Sequence, residues 1–299
     1  MKRYLKSLLS IILLFSLILS NTLSVNAAEK VTNVYASSEK EFYQYINEFM
    51  KGEYKKLNIY LPENKFEIDK YLKKTSKGTD ITHSISSIVS PFYCIIGLYN
   101  ENENKYRLHY YYECKNYQSK VKKTEEKANK IIKKIIKNNM NSQQKVTAIA
   151  KYLKNNAIYA TTEYKKVRDA ADKNNNVIPN KIFVKYGYAY DAYGALCKGR
   201  CVCAGYSLAF NLLARKAGIP SIQVINGSHA WNVYKIGKKY YEIDTTAKET
   251  KGRLLKKPTF NEKKIYKDLL KYIVTGTKKV KMTPYTPPEN NDEDYDDED

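Results

Sequence analysis

Residues 199–218 read GRCVCAGYSLAFNLLARKAG, and this stretch predicts a buried helix with a cysteine at its start. Apolar side chains recur on or near one helical face at Tyr206, Phe210, Leu213 and Ala217. Gly218 and Pro220 follow where such a helix would end. Cys203 is therefore expected at or near the helix N-terminus, where unpaired backbone N–H groups and the helix dipole favour a thiolate. The same N–H groups could stabilise an oxyanion.

The stretch 229–246 predicts a β-hairpin with a two-residue turn at Gly237-Lys238. With that turn, the numbers of paired residues sum to 475. Opposed residues share a face of the hairpin, and so do alternate residues. His229 and Asp244 then project to the same side, roughly 7–8 Å apart at the backbone. A three-residue loop would shift the pairing by one residue, and His229 and Asp244 would then project to opposite faces.

A cysteine at a helix start together with a His/Asp pair on one face is what nucleophilic thiol catalysis requires. The imidazole of His229 would take the thiol proton of Cys203, and the Asp244 carboxylate would fix the imidazole tautomer. The other two histidines, His83 and His109, lie outside this segment.

Two other interpretations of these residues stay open. Cys203 could be a buried thiol without a chemical role. A zinc site could be built from Cys197, Cys201, Cys203 and His229, although the C-x3-C-x-C spacing is not a common zinc pattern.

The segment from about Lys145 to Thr246 resembles the transglutaminase-like superfamily in its bacterial secreted form. The similarity rests on three spaced motifs in order: residues 199–206, His229-Ala230-Trp231-Asn232, and residues 241–246. The resemblance implies a papain-like α+β fold, with the nucleophile on a helix packed on an antiparallel sheet. It also implies a catalytic triad of Cys203, His229 and Asp244. Two positions depart from the family pattern, because Cys201 stands where a small residue is usual and Ala247 where an aromatic residue is often found.

The second oxyanion donor has no clear sequence signal. Tyr190 and Tyr193 lie upstream of the nucleophile and carry suitable hydroxyl groups, so they are the candidates, with packing as the alternative role. Trp231 is expected to form a wall of the site or to bind substrate. Nothing in the sequence calls for a cofactor or a metal.

The two ends of the chain differ from the body in composition. Residues 1–27 have a basic start and an apolar run, which predicts a secretory signal peptide, with an uncleaved anchor as the alternative. Residues 286–299 are predicted to be a disordered acidic tail. Between them we expect a smaller α+β domain over residues 28–120 and a transglutaminase-like catalytic domain over residues 121–285.

Local patterns predict several further elements. We expect helices over residues 41–50 and 143–156 and another from residue 121, a strand over residues 57–61, and a hairpin from residues 94–99 and 106–113. The polar segment 169–181 is expected to be a loop.

Charge and cysteine content bear on location and partners. The chain has 299 residues and a net charge of +21. The predicted signal peptide contains three basic residues and the acidic tail contains eight acids, so the rest of the chain carries +26. Such a charge in an exported protein fits an anionic cell-wall polymer, and export makes nucleic acid an unfavoured partner. Five cysteines suggest two disulfides and one free thiol, with Cys94–Cys114 and Cys197–Cys201 as candidate pairs.

The sequence therefore predicts a secreted or cell-surface enzyme of acyl transfer. A protein or peptide would supply a glutamine side chain or a peptide bond, Cys203 would form the thioester, and an amine or water would accept the acyl group. A cysteine peptidase of the same fold and a non-catalytic cell-wall binding protein are the alternatives.

Overall fold

The computed structural model describes residues 31–49, 51–62, 95–100, 105–110, 116–175, 178–226, 229–255, 273–276 and 278–287. The predicted signal peptide and nearly all of the acidic tail lie outside these residues. The described chain combines helices with two four-stranded sheets, and the predicted α+β class is confirmed.

The first sheet has the strand order β1-β2-β4-β3. Its strands are β1 (Val31–Tyr35), β2 (Lys56–Tyr60), β3 (Ile95–Asn100) and β4 (Lys105–Tyr110). Helix α1 (Glu39–Phe49) shares an apolar cluster with this sheet, because its aromatic and aliphatic residues recur at helical spacing. Phe42 of α1 meets Tyr106 of β4 edge to face, with ring centroids 5.2 Å apart.

Two amphipathic helices follow, α2 (Tyr117–Ile135) and α3 (Ser142–Asn156). The predicted apolar stripe of α2 faces the core through Ala128 and Ile131. Helix α3 starts at a capping box, in which Asn141 and Gln144 each bond the other's backbone N–H. One hydrophobic cluster contains residues from both sides of the predicted boundary at residue 120. The boundary itself stays a prediction.

A series of short elements leads to Cys203. They are β5 (Ile158–Tyr159), α4 (Thr161–Asp172), α5 (Asn180–Tyr186), a 3-10 turn (Gly187–Tyr190), a π-helical turn (Gly194–Lys198) and β6 (Arg200–Cys201). Strands β5 and β6 pair in parallel. The predicted loop over residues 169–181 is wrong at both ends, since α4 runs to Asp172 and α5 begins at Asn180. Polarity misled the prediction, because α4 is held by a buried apolar residue, Val167, and by an ion pair of Glu163.

The second sheet has the strand order β10-β9-β8-β7 and lies against helix α6 (Cys203–Lys216). Its strands are β7 (Ser221–Asn226), β8 (His229–Ile236), β9 (Lys239–Ile243) and β10 (Arg253–Leu254). Pairing from Ile236↔Lys239 to Asn232↔Ile243 confirms the predicted register, in which the residue numbers sum to 475. The ladder with β9 ends at that last pair, and Asp244 opens a turn.

The cysteine arrangement corrects one predicted pair. Cys197, Cys201 and Cys203 are all free thiols, so the predicted Cys197–Cys201 disulfide is wrong. Cys197 lies in the π-helical turn beside Thr124 of α2, while Cys201 lies in strand β6. Cys94 and Cys114 lie outside the described residues. No helix in the described part of the chain is both long enough and apolar enough to cross a membrane.

Candidate active site

Cys203 is the first residue of α6, as the sequence predicts, and Val202 is the N-cap. The first turn of this helix lies very close to the preceding chain. A Cβ on Gly205 would stand 2.5 Å from the Ala189 carbonyl oxygen and 2.6 Å from Cys201 Cβ. Only glycine fits there, so Gly205 lets the start of the helix approach the chain around it.

The direction of α6 relative to the second sheet places Cys203 at the same end as His229. Along β7, Ser221 bonds Asn211 of α6, whereas Gln223 bonds Ser207, one turn nearer the helix start. Helix α6 therefore runs antiparallel to β7, so the last residues of β7 lie near the helix start. The last β7 residue pairs with His229.

A second observation supports this placement. The 7% exposed Cys203 shares a small buried cluster with Ala230, the residue directly after His229. The thiol and the imidazole thus belong to one region of the molecule.

His229 and Asp244 are hydrogen-bonded, with His229 Nε2 2.7 Å from Asp244 Oδ2. Because Nε2 is engaged by the carboxylate, Nδ1 is the ring nitrogen through which His229 could exchange a proton with a thiol. The His229 side chain is 44% exposed, which leaves the ring accessible from solvent.

The Asp244 carboxylate is fixed by its own turn. Its Oδ1 accepts hydrogen bonds from the backbone N–H groups of Thr246, at 2.9 Å, and Ala247, at 3.3 Å. The Asp244 N–H in turn donates to Glu249 Oε2 at 2.9 Å. One carboxylate oxygen is thus held by the backbone, and the other faces the imidazole. Ala247, one of the two departures from the family pattern, contributes its N–H to this arrangement.

Tyr159 is the residue beside Cys203 that sequence reasoning missed. Strand β5 places it opposite Cys201, and its hydroxyl interacts electrostatically with Cys203. Burial, reinforced by the neighbouring Cys203, raises the pKa of Tyr159 to about 12, so the hydroxyl keeps its proton. Its sequence signal is weak, because it lies 44 positions before Cys203 among 29 tyrosines.

The residues predicted to flank the nucleophile occupy three different places. Tyr190 joins the Cys203 cluster, and burial raises its pKa to about 12. Tyr193 packs against the main hydrophobic core instead. Trp231 stacks on His229, with ring centroids 6.0 Å apart and planes inclined by 20°. Trp231 thus forms a wall beside the imidazole. Of the two predicted tyrosines, Tyr190 is the one that packs against the cluster containing Cys203.

An ion pair connects α4 to the strand that precedes Cys203. Arg200 of β6 donates two hydrogen bonds to the Glu163 carboxylate, at 2.9 and 3.1 Å, and Tyr188 donates a third at 2.7 Å. The Arg200 hydrogen bond is the main reason that the pKa of Glu163 falls to about 2. These hydrogen bonds connect the chain segments that carry Tyr159 and Cys203.

Two alternative uses of the cysteines can be compared with the structure. Cys201 is completely buried, and burial, helped by Cys203, raises its pKa, so it is poorly placed to act as the nucleophile. Within the described residues, no group of three or more His, Cys, Asp or Glu side chains is arranged to hold a metal ion. The predicted zinc alternative therefore has no support there.

Comparison with known proteins gives little further information. No protein-family model matches the chain, and no curated protein matches it. One similar solved structure is described as the crystal structure of a TGase, with 17% identity and a TM-score of 0.36. The similarity covers 72% of this chain and 59% of that one, so this chain spans about three fifths of the other's length. At this distance the likeness carries no inference about activity.

Proposed function

We propose that this chain is an exported, transglutaminase-like cysteine enzyme that transfers the acyl group of a glutamine side chain to an amine or to water. The observation that supports the proposal most strongly is the 2.7 Å bond between His229 and Asp244, at the end of the sheet where α6 begins with Cys203. A thiol, an imidazole and a carboxylate bonded to that imidazole thus lie in one region of the molecule, which is the set of groups that thiol catalysis needs. The papain-like form of the fold is part of this proposal.

The proposed reaction begins with proton transfer from the Cys203 thiol to His229 Nδ1. The sulfur attacks the carboxamide carbon, and the tetrahedral intermediate then loses ammonia, which takes the proton from His229. This leaves a thioester. An amine attacks the thioester and gives up a proton to His229, which forms an isopeptide bond and restores the thiol; water in place of the amine gives glutamate.

The oxyanion of each tetrahedral intermediate needs hydrogen-bond donors. The Cys203 backbone N–H lies at the first position of α6, where no intrahelical acceptor exists and the helix dipole is favourable. The Tyr159 hydroxyl, which interacts with Cys203, is the second donor in this proposal in place of Tyr193. Tyr190 is retained as a substrate contact.

The experiment that tests the proposal compares wild type with Cys203→Ala. Each protein is incubated with a glutamine-containing protein and a labelled primary amine, and mass spectrometry of the mixture detects deamidation and backbone cleavage. We expect label incorporation that falls to background in Cys203→Ala. Cys197→Ala is the matched control, because it removes a free thiol away from the His/Asp pair and should keep full activity.

Other outcomes separate the alternatives. Deamidation that depends on Cys203 keeps the thioester and makes water the acceptor, whereas backbone cleavage that depends on Cys203 identifies a peptidase. The proposed enzymatic function is contradicted if the wild type shows no label incorporation, no deamidation and no cleavage, and if its Cys203 alkylates no faster than Cys197. That result would favour a binding protein.

An anionic polymer of the cell wall is the partner that we propose for the surface of α2. Four exposed lysines, Lys123, Lys127, Lys130 and Lys134, follow a 4-3-4 spacing and so form one row on the helix. The row is about 16 Å long at 1.5 Å per residue. Within the described residues none of these four ammonium groups forms an ion pair. A narrow unpaired row fits one linear chain of negative charges.

This partner is tested with soluble polyphosphate as the probe. Replacing the four α2 lysines with glutamine should weaken binding at least about tenfold at low salt. The charge-matched control replaces Lys165, Lys166, Lys238 and Lys239, which are also exposed. Equal losses in the two variants would mean that only net charge matters, and the row would not be a binding site.

A further inference from the structure

Buried polar side chains line the contact between α6 and the second sheet. Cys203, Ser207 and Asn211 are four residues apart, so they share one face of the helix. Asn232 of β8 is fully buried, and its Nδ2 donates to the Ser207 carbonyl and to Asn211 Oδ1, each at 2.9 Å. The strand that carries His229 is thereby bonded to the helix face that carries Cys203.

Strand β7 adds bonds to the same helix face. Gln223 pairs with Asn232 across the two strands, and its Nε2 donates to Ser207 Oγ and, at 3.3 Å, to the Ala204 carbonyl. Ser221 Oγ donates to Asn211 Oδ1 at 2.5 Å. Three strand residues thus bond to two consecutive turns of α6 directly after the nucleophile.

Hydrogen bonds at this interface fix the position of the helix on the sheet, which apolar contacts alone do not. Apolar packing is nondirectional and tolerates small slides of a helix across a sheet, whereas buried hydrogen bonds require particular distances and angles. A buried polar network also costs desolvation, which its bonds must offset. A thiol and an imidazole exchange a proton only when they are held within hydrogen-bonding reach, so a shift of about 1 Å can slow a reaction about 100-fold.

We propose that Asn232 is a positioning residue that sets the separation between the Cys203 thiol and the His229 imidazole by fixing β8 on α6. The inference rests on the proposed function of Cys203 and His229. Asn232 acts through the helix and the strand and touches no substrate.

The test uses Asn232→Ala and, as a matched control, Asn58→Ala. Asn58 is also a buried strand asparagine whose Nδ2 forms a 2.9 Å bond, to Asn33 in the first sheet. The first readout is the rate of iodoacetamide alkylation of Cys203 at pH 6, measured by peptide mass spectrometry relative to Cys197 in the same molecule. It is recorded at a temperature where both variants are folded by circular dichroism. The second readout is the separation of kcat from KM in amine incorporation.

We expect Asn232→Ala to slow Cys203 alkylation and to lower kcat, each at least about tenfold, with KM changed less than about threefold. Asn58→Ala should change neither, even if it lowers the melting temperature as much. If Asn232→Ala does not fold, Asn211→Ala decides the question by the same criteria, because it removes the acceptor shared by Asn232 and Ser221.

Two contrary results can be told apart. If wild-type Cys203 alkylates no faster than Cys197, the proposed function fails and this inference fails with it. If wild-type Cys203 is fast and remains equally fast in Asn232→Ala, the positioning role is wrong while the proposed function stands.

Discussion

Two helix-on-sheet interfaces in the described part of the chain differ in how many polar side chains they contain. Helix α1 is packed with the first sheet through aromatic and aliphatic residues such as Phe42, Ile46 and Phe49. Helix α6 meets the second sheet through an additional polar group that includes Asn211 and Asn232. Both interfaces bury apolar surface, and the second adds hydrogen bonds between the helix and the strands.

The first interface thus bears on the stability of the fold, and the second also bears on the positions of the predicted catalytic residues. An apolar interface lowers the free energy of the folded state without specifying atomic distances at the surface of the molecule. The polar interface lies directly behind the predicted catalytic residues, where distances decide reactivity. Substitutions at the first interface should therefore act on stability, and those near the second should act on rate.

The largest effect is expected from Phe42→Ala in the first interface. Removing this fully buried ring should lower the free energy of unfolding by about 3–5 kcal/mol, through lost burial and the cavity left behind. Chemical denaturation measures the loss. Label incorporation per folded molecule should stay within about twofold of wild type; a tenfold fall would show that the first interface also positions the site.

The next effect is expected from Asp244→Asn in the second region. The amide can keep the two backbone hydrogen bonds of the turn, but it no longer offers His229 an anionic partner. We expect kcat for amine incorporation to fall about 100-fold or more, with a small change in melting temperature. Unchanged kcat would remove Asp244 from the proposed mechanism.

A smaller effect is expected from Tyr159→Phe, which removes one hydroxyl beside Cys203. If this hydroxyl stabilises the oxyanion, kcat should fall about 10- to 100-fold while KM changes little. Tyr190→Phe is the comparison, because that ring also packs against the Cys203 cluster. As a proposed substrate contact, it should raise KM and lower kcat less than about threefold. Steady-state kinetics of both variants compares them, and equal losses would count against a special role for Tyr159.

The smallest effect is expected from Glu163→Gln, and it depends on pH. The pKa of Glu163 is lowered to about 2 by Arg200 from its ordinary value of 4.5, so its charge stabilises the folded state above about pH 4.5. That contribution disappears as the pH falls through about 2. The melting temperature of Glu163→Gln should thus be below wild type at pH 6, and the gap should close by pH 2. Melting curves at several pH values measure this gap, and a constant gap would contradict the assignment.

Much of the local structure could be predicted from particular patterns in the sequence. The period of apolar residues and Gly218 located α6, and the short Gly237-Lys238 turn fixed the hairpin register that puts His229 and Asp244 on one side. The segment 169–181 was predicted wrongly because α4 is polar. Its stabilising partner, Arg200, lies 37 positions away from Glu163.

The sequence by itself determined the helix that starts with Cys203 and the hairpin that joins His229 to Asp244, because helix and hairpin patterns depend on neighbours a few residues apart. The tertiary structure alone decided that Tyr159 lies beside Cys203, that Cys197 and Cys201 remain free thiols, and that Asn232 bonds to α6. These contacts join residues that are distant in the chain or on different elements. Their formation depends on how whole layers pack, which no local spacing encodes.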